Sequence, residues 1–244
     1  SSMRPVAAWL ALWDNGTRLR LREISPDLLL RYGDPSSLEL EFRKTLLKRF
    51  IAQYAENVCI GDFIEINVLK RFADPELAST INQLFSDYET HEKLCIFLLK
   101  LVWHGKIDGA IIPAKKIAIN PKYSSDVRIY AIWAIAAIGQ DETCRTVIES
   151  LLVERASLEI KLIDALLENF YPNDLSIEEL LKLIKSILNP KKNSDFFSLE
   201  RTLQSIFKGE VHEERQYQLL DGVISLIEKE PWIQRPYCKF SQHY

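Results

Sequence analysis

Three short runs carry residue types that do chemistry in other proteins. His91-Glu92-Lys93-Leu94-Cys95 opens like the zinc-protease helix H-E-x-x-H, but a cysteine stands where the second imidazole belongs. His212-Glu213-Glu214-Arg215-Gln216 opens the same way and ends in glutamine. A catalytic zinc needs both histidines one turn apart on one helix face, with a third ligand further along. Neither run supplies them. His91 and Cys95 make at most half a metal site, and the plainer reading is a helix-start histidine and a core thiol. Ser205-Ile206-Phe207-Lys208 matches S-x-x-K, yet the S-D-N and K-T-G elements of penicillin-recognising enzymes are missing. There is no G-x-x-x-x-G-K-[ST] loop, so no nucleotide is expected to bind this segment in that manner. The sequence therefore assigns no catalytic, cofactor-binding or metal-binding residue.

Charge narrows the partners. The net charge is −3 with a pI near 5.9, which argues against a sequence-independent grip on nucleic acid. Basic residues gather at Arg18, Arg20 and Arg22, at Arg43, Lys44, Lys48 and Arg49, and at Lys115-Lys116 and Lys191-Lys192. Acidic residues are interleaved with them, as on a solvated surface. Cys59, Cys95, Cys144 and Cys238 are far apart and form no C-x-x-C pair. They read as free thiols in a reducing cytosol, so the expected location is cytoplasmic. No apolar run reaches eighteen residues, and no membrane span is expected. Ser1-Ser2 ahead of Met3 reads as the remnant of a fusion tag, and the chain as a piece of something longer.

What remains are aromatic side chains suited to recognition. Ile129, Ile132 and Trp133 lie off the stripe defined by Val127, Ala131 and Ile138, as on a helix sandwiched between neighbours. The alternative is that Trp133 and Tyr130 form part of an exposed binding surface, and Trp103 stands with His104 beside Gly105. Trp and Tyr are favoured binding anchors. Trp133, Tyr130 and Trp103 are the candidate partner-binding residues, for a protein partner or for other domains of a longer chain.

The elements that must hold them are helices. Leu77, Ile81, Leu84 and Phe85 follow a 3.6-residue period, as do Leu94, Phe97, Leu98, Leu101 and Val102. Val147, Ile148, Leu151 and Leu152, then Ile177, Leu180, Leu181, Ile184, Ile187 and Leu188, repeat the pattern. Asp74-Pro75 and Ser25-Pro26 have the form of N-cap and N1. Ser36 with Glu39, and Ser176 with Glu179, have capping-box spacing. Gly33, Gly105, Gly139 and Gly209 stand where a C′ glycine belongs, and Pro172 and Pro190 close two more helices. The expected helices are 5–13, 17–23, 26–32, 37–55, 63–72, 75–87, 91–104, 110–119, 125–138, 141–154, 157–170, 176–188, 195–208 and 213–229.

Asp74, Asp108, Asp141 and Asp174 recur at intervals of 34, 33 and 33 residues. A fixed period of that size filled by two helices signals an α-solenoid, because one helical hairpin cannot cover its own apolar face. The predicted fold is all-α, a solenoid of antiparallel helix pairs. It has a helical N-terminal segment over 1–60, repeats over 61–230 and an irregular tail over 231–244.

The run Ser125-Asp126-Val127-Arg128-Ile129-Tyr130-Ala131-Ile132-Trp133-Ala134-Ile135-Ala136-Ala137-Ile138-Gly139 resembles the second helix of a HEAT repeat, with Val127, Ala131, Ala134, Ile135 and Ile138 at the pattern positions. The likeness covers residues 74 to 174. Arg4-Pro5-Val6-Ala7-Ala8-Trp9-Leu10-Ala11, Ile24-Ser25-Pro26-Asp27-Leu28-Leu29-Leu30-Arg31-Tyr32-Gly33-Asp34 and Arg71-Phe72-Ala73-Asp74-Pro75-Glu76-Leu77 look like the region that follows the nucleotide-binding module in bacterial NACHT-type STAND ATPases. That resemblance implies a non-catalytic helical sensor or linker in an anti-phage defence protein. The alternative on the same scaffold is a HEAT-like DNA glycosylase acting on alkylated bases, with a carboxylate and tryptophans on a basic concave face. The acidic pI weighs against it.

Overall fold

The computed structural model describes residues 3–56, 64–139, 141–187, 196–209 and 213–229, and all that follows refers to these. They form fourteen α-helices and three 3-10 turns, with no strand among them. The chain divides into two compact units, Ser1–Gln140 and Asp141–Tyr244.

In the first unit the helices are α1 (Arg4–Trp13), α2 (Asn15–Ile24), α3 (Pro26–Arg31), α4 (Leu40–Glu56), α5 (Ile66–Phe72), α6 (Ala78–Asp87), α7 (Glu92–Gly105), α8 (Ile111–Ile119) and α9 (Ser125–Ile138). The 3-10 turns Pro35–Ser37, Pro75–Leu77 and Asp108–Ala110 precede α4, α6 and α8. Two of these entries are built alike. Asp34 accepts from the Ser36 amide and Asp74 from the Glu76 amide, each ahead of a proline that cannot donate.

Contacts alternate along the chain. Helices α1, α3, α5, α7 and α9 each pack on the next in that odd-numbered series. In the even-numbered series α2 packs on α4, α4 on α6, and α6 on the turn that opens α8. Adjacent pairs such as α1 with α2 and α8 with α9 also pack together. Links across one period tie the rows. Arg43 donates to the carbonyl of Phe72 and pairs with Asp74 at 3.7 Å, and the Asn82 amide donates to the Gly109 carbonyl. The core of this unit runs through Leu46, Leu47, Phe50, Leu69, Phe72, Leu77, Leu94, Leu98 and Ala131.

The second unit holds α10 (Asp141–Glu154), α11 (Ile160–Phe170), α12 (Ile177–Ile187), α13 (Phe196–Gly209) and α14 (Glu213–Lys229). Here too alternate helices pack: α10 on α12, α12 on α14, and α11 on α13. Arg145 on α10 reaches the Glu179 carboxylate on α12, while Glu179 accepts from the Ser176 amide and hydroxyl. Glu179 is thus both a capping-box acid and an interhelical ion-pair partner.

Several caps differ from the sequence expectation. The Ser25 side chain makes no cap bond. Ser36 lies inside a 3-10 turn and donates to Asp34, and α4 starts later, at Leu40. Gly139 takes the left-handed conformation as expected, with φ of 68°. At the end of α7 that role falls to Lys106, with φ of 49°. Gly105 serves instead as a point of close approach, because a Cβ there would stand 2.3 Å from the Ala73 Cβ.

Candidate functional site

Helices α7 and α9 are locked together from end to end. At the start of α9 the Ser124 amide and hydroxyl both donate to the Glu92 carboxylate, at 3.1 and 3.0 Å. This satisfies a helix-start donor and fixes the axial position of α9 against α7. Further along, the Lys100 ammonium lies 5.0 Å from the Tyr130 ring centre, and Trp103 meets Trp133 with centroids 4.9 Å apart. Residues three apart on α7 meet residues three apart on α9, so the two helices run in the same direction. On the other side the buried Arg128 Nε donates to the Ala118 carbonyl at 2.9 Å, holding α9 to the last turn of α8. Ala131 and Ala134 are fully buried on α9, as the alanine spacing predicts. Their small side chains let α7 and α8 approach, which leaves Tyr130 and Trp133 half-buried at the margin.

The three candidate residues come together there. Tyr130 meets Trp133 edge to face at 5.0 Å, Trp133 meets Trp103, and His104 stacks on Trp103 at 4.2 Å. Such arrangements suit the ring quadrupoles. The neighbouring charge is positive. Burial lowers the His104 pKa below the ordinary imidazole value, and the nearby Lys70 and Lys100 ammonium groups lower it further. The imidazole is therefore neutral at pH 7 within a positive field. A set of aromatic faces with Lys100 over Tyr130, and with Lys70 close enough to act on His104, can take an apolar or aromatic group that carries a carboxylate beside it. Neither lysine stands out in the sequence. Lys100 and Tyr130, and Trp103 and Trp133, are each 30 residues apart, a little short of the 33 to 34 residues between the aspartates, so the repeat spacing alone does not pair them.

The other singled-out residues have local roles. His91 Nδ1 accepts from the Leu94 amide as the N-cap of α7. Cys95 is buried, and burial pushes its thiol up to about 11, so it stays protonated at neutral pH. Cys144 is buried and raised to about 11 for the same reason. Arg18 donates to the Ala11 and Leu12 carbonyls at the end of α1, and Arg43 to those of Leu38, Ser36 and Phe72. Lys44 pairs with Glu41. Arg18 and Arg43 are thus spent on helix ends and loops, and Lys44 on a carboxylate of its own helix.

Ser205 lines a cleft of about 160 Å³ in the second unit with Glu168, Tyr171 and Thr202. Burial, then the Asp164 charge, raises the Glu168 pKa. His212, Cys59 and Cys238 lie outside the described residues. Among the described residues no three His, Cys, Asp or Glu side chains gather as metal ligands would, and no helix is long and apolar enough to cross a membrane. Compared with protein-family models, curated proteins and solved structures, the chain finds no match.

Proposed function

We propose that this chain is a non-catalytic recognition module, an α-solenoid of HEAT-like antiparallel helix pairs, whose contact patch is the Trp103–Trp133–Tyr130 cluster with Lys100 and Lys70 at its edge. The observation that carries this reading is the convergence of three aromatic side chains from two helices with the Lys100 ammonium 5.0 Å from the Tyr130 ring. Aromatic anchors rimmed by charge are the usual energetic centre of a protein interface. The solenoid reading is supported by the alternating contacts of both units and by the parallel run of α7 and α9. The partner is a protein segment, or another domain of a longer chain, that offers carboxylates beside an apolar group.

In this proposal the module is the sensor or linker of a bacterial NACHT-type STAND ATPase in anti-phage defence, a reading supported by the resemblance of the first sixty residues and of Arg71–Leu77. Sequencing the reading frame that contains the chain tests this part. A G-x-x-x-x-G-K-[ST] loop upstream in the same frame supports it, and a frame without one contradicts it. The patch itself is tested by selecting displayed random peptides on the full chain. Enriched sequences should be acidic with an aromatic or aliphatic anchor. Their binding should weaken about tenfold or more with Trp133→Ala or Lys100→Glu. Peptides that bind both variants as well as the parent would defeat the assignment.

A further inference from the structure

In the second unit α11 and α13 pack together, and the cleft of about 160 Å³ lies along their last turns. Leu167 and Tyr171 from the end of α11, with Thr202 and Ile206 from α13, line it from buried or half-buried positions. Glu168 and Ser205 line it from exposed ones. A cavity of about 150 Å³ takes up benzene, so this volume admits a group of about six heavy atoms. Three of the lining groups are unused. Among the described residues the Glu168 carboxylate and the Thr202 and Ser205 hydroxyls have no hydrogen-bond or ion-pair partner. Thr202 is only 3 % exposed. A polar side chain so deeply buried is normally hydrogen-bonded, and its missing partner points to a group that enters the cleft. Thr202 and Ser205 are three apart on α13 and share a face.

Charge selects the group. Partial burial of the Glu168 carboxyl, then the Asp164 carboxylate one turn back on α11, disfavour its ionised form, and no cation among the described residues offsets them. Asp164 itself has a buried Oδ1 without a partner. Arg215 is engaged elsewhere, with the Pro172 carbonyl and 5.6 Å from the centre of the Tyr171 ring. Helix α11 ends at Phe170 and α13 at Gly209, so the cleft also borders the negative ends of two helix dipoles. A carboxylate, two helix C-termini and two hydroxyl oxygens favour a cation. Three acceptors also match the three N–H donors of a primary ammonium.

We infer that this cleft binds a primary alkylammonium group, its nitrogen among Glu168, Thr202 and Ser205 and its carbon chain against Leu167 and Ile206. Such a group comes from a free alkylamine or from a lysine side chain. The site is separate from the Trp103–Trp133 patch and stands or falls without it.

The test titrates the ¹⁵N-labelled full chain with butylammonium, with Nα-acetyl-lysine methylamide, and with butanol as the neutral counterpart. Butylammonium should shift the Thr202 and Ser205 amide signals saturably, and butanol should bind about tenfold more weakly or not at all. Glu168→Gln keeps the shape and removes the charge, and Ser205→Leu fills the cleft. Both positions are exposed, so the thermal melt should stay unchanged while each variant weakens butylammonium about tenfold or more. Trp133→Ala should leave this binding unchanged. Tighter binding of the lysine compound at the same amides would support the site and name a partner's lysine side chain as the source, and tighter binding of butylammonium would name a free amine. Absence of saturable shifts at Thr202 and Ser205, butanol binding as tightly as butylammonium, or binding indifferent to Glu168→Gln would overturn the proposal.

Discussion

At the scale of single residues, the smallest side chains of α9 matter as much as the aromatic ones. Ala134 is fully buried on a helix packed by both α7 and α8. Extra methylenes there must displace a neighbouring helix, so Ala134→Leu should cost about 1–3 kcal/mol. A thermal melt checks this, and an unchanged melting temperature would mean that the face is open. Glu179 gives a pH signature. The Arg145 guanidinium that donates to it, with the Ser176 amide and hydroxyl, holds its carboxyl down at about 2 against an ordinary 4.5. Because the folded value is the lower one, its stabilisation is fully present above pH 4.5 and is lost as pH falls toward 2. Arg145 is itself half-exposed, so screening by solvent and salt trims the effect. Melting temperature should fall across that acid range, and the fall should be shallower in Arg145→Met. Equal slopes for parent and variant would show that the pair adds nothing to folding.

At the scale of elements, two contacts set how neighbouring helices meet. Gly105 lets α7 approach the end of α5, since an added Cβ would stand 2.3 Å from the Ala73 Cβ. Gly105→Ala should destabilise by about 1–3 kcal/mol, and Ala73→Gly in the same chain should recover much of the loss. A double-mutant cycle in denaturant reads this coupling, and strictly additive effects would refute the close approach. Glu92 holds the start of α9 through Ser124. Its replacement by alanine should cost about 0.5–2 kcal/mol, the usual worth of a helix cap, read as a shift in the denaturation midpoint. The helices themselves were legible in the sequence, because apolar stripes at helical spacing mark them and the Ser176–Glu179 box and Gly139 end them as read. The misread ends have a local cause. Pro35 inside a 3-10 turn hands the cap from Ser36 to Asp34, and Lys106 takes the left-handed turn while Gly105 is held by packing. Neither outcome can be seen from residue type, because each depends on which element lies across the gap.

At the scale of the whole molecule, a spacing of 30 to 34 residues recurs both in the sequence and in the contacts. It was visible as Asp74, Asp108, Asp141 and Asp174, but those residues play unlike parts. Asp74 caps a 3-10 turn, Asp108 opens another, and Asp141 begins α10. The contacts that the period creates are the more telling consequence: Glu92 with Ser124, Lys100 with Tyr130, Trp103 with Trp133, and Arg145 with Glu179. The aromatic members of the site were legible as residue types suited to binding. Their basic rim was not, because a lysine reads as ordinary surface until the neighbouring helix is placed beside it. The central claim is that this aromatic–basic patch is where the chain meets its partner. The most direct measurement is the indole N–H spectrum of the ¹⁵N-labelled full chain during titration with an acidic peptide selected on it. The chain has five tryptophans, so each indole can be assigned by single substitution. The account predicts saturable shifts of the Trp103 and Trp133 signals, abolished by Lys100→Glu; saturating binding that leaves both signals unmoved would contradict it.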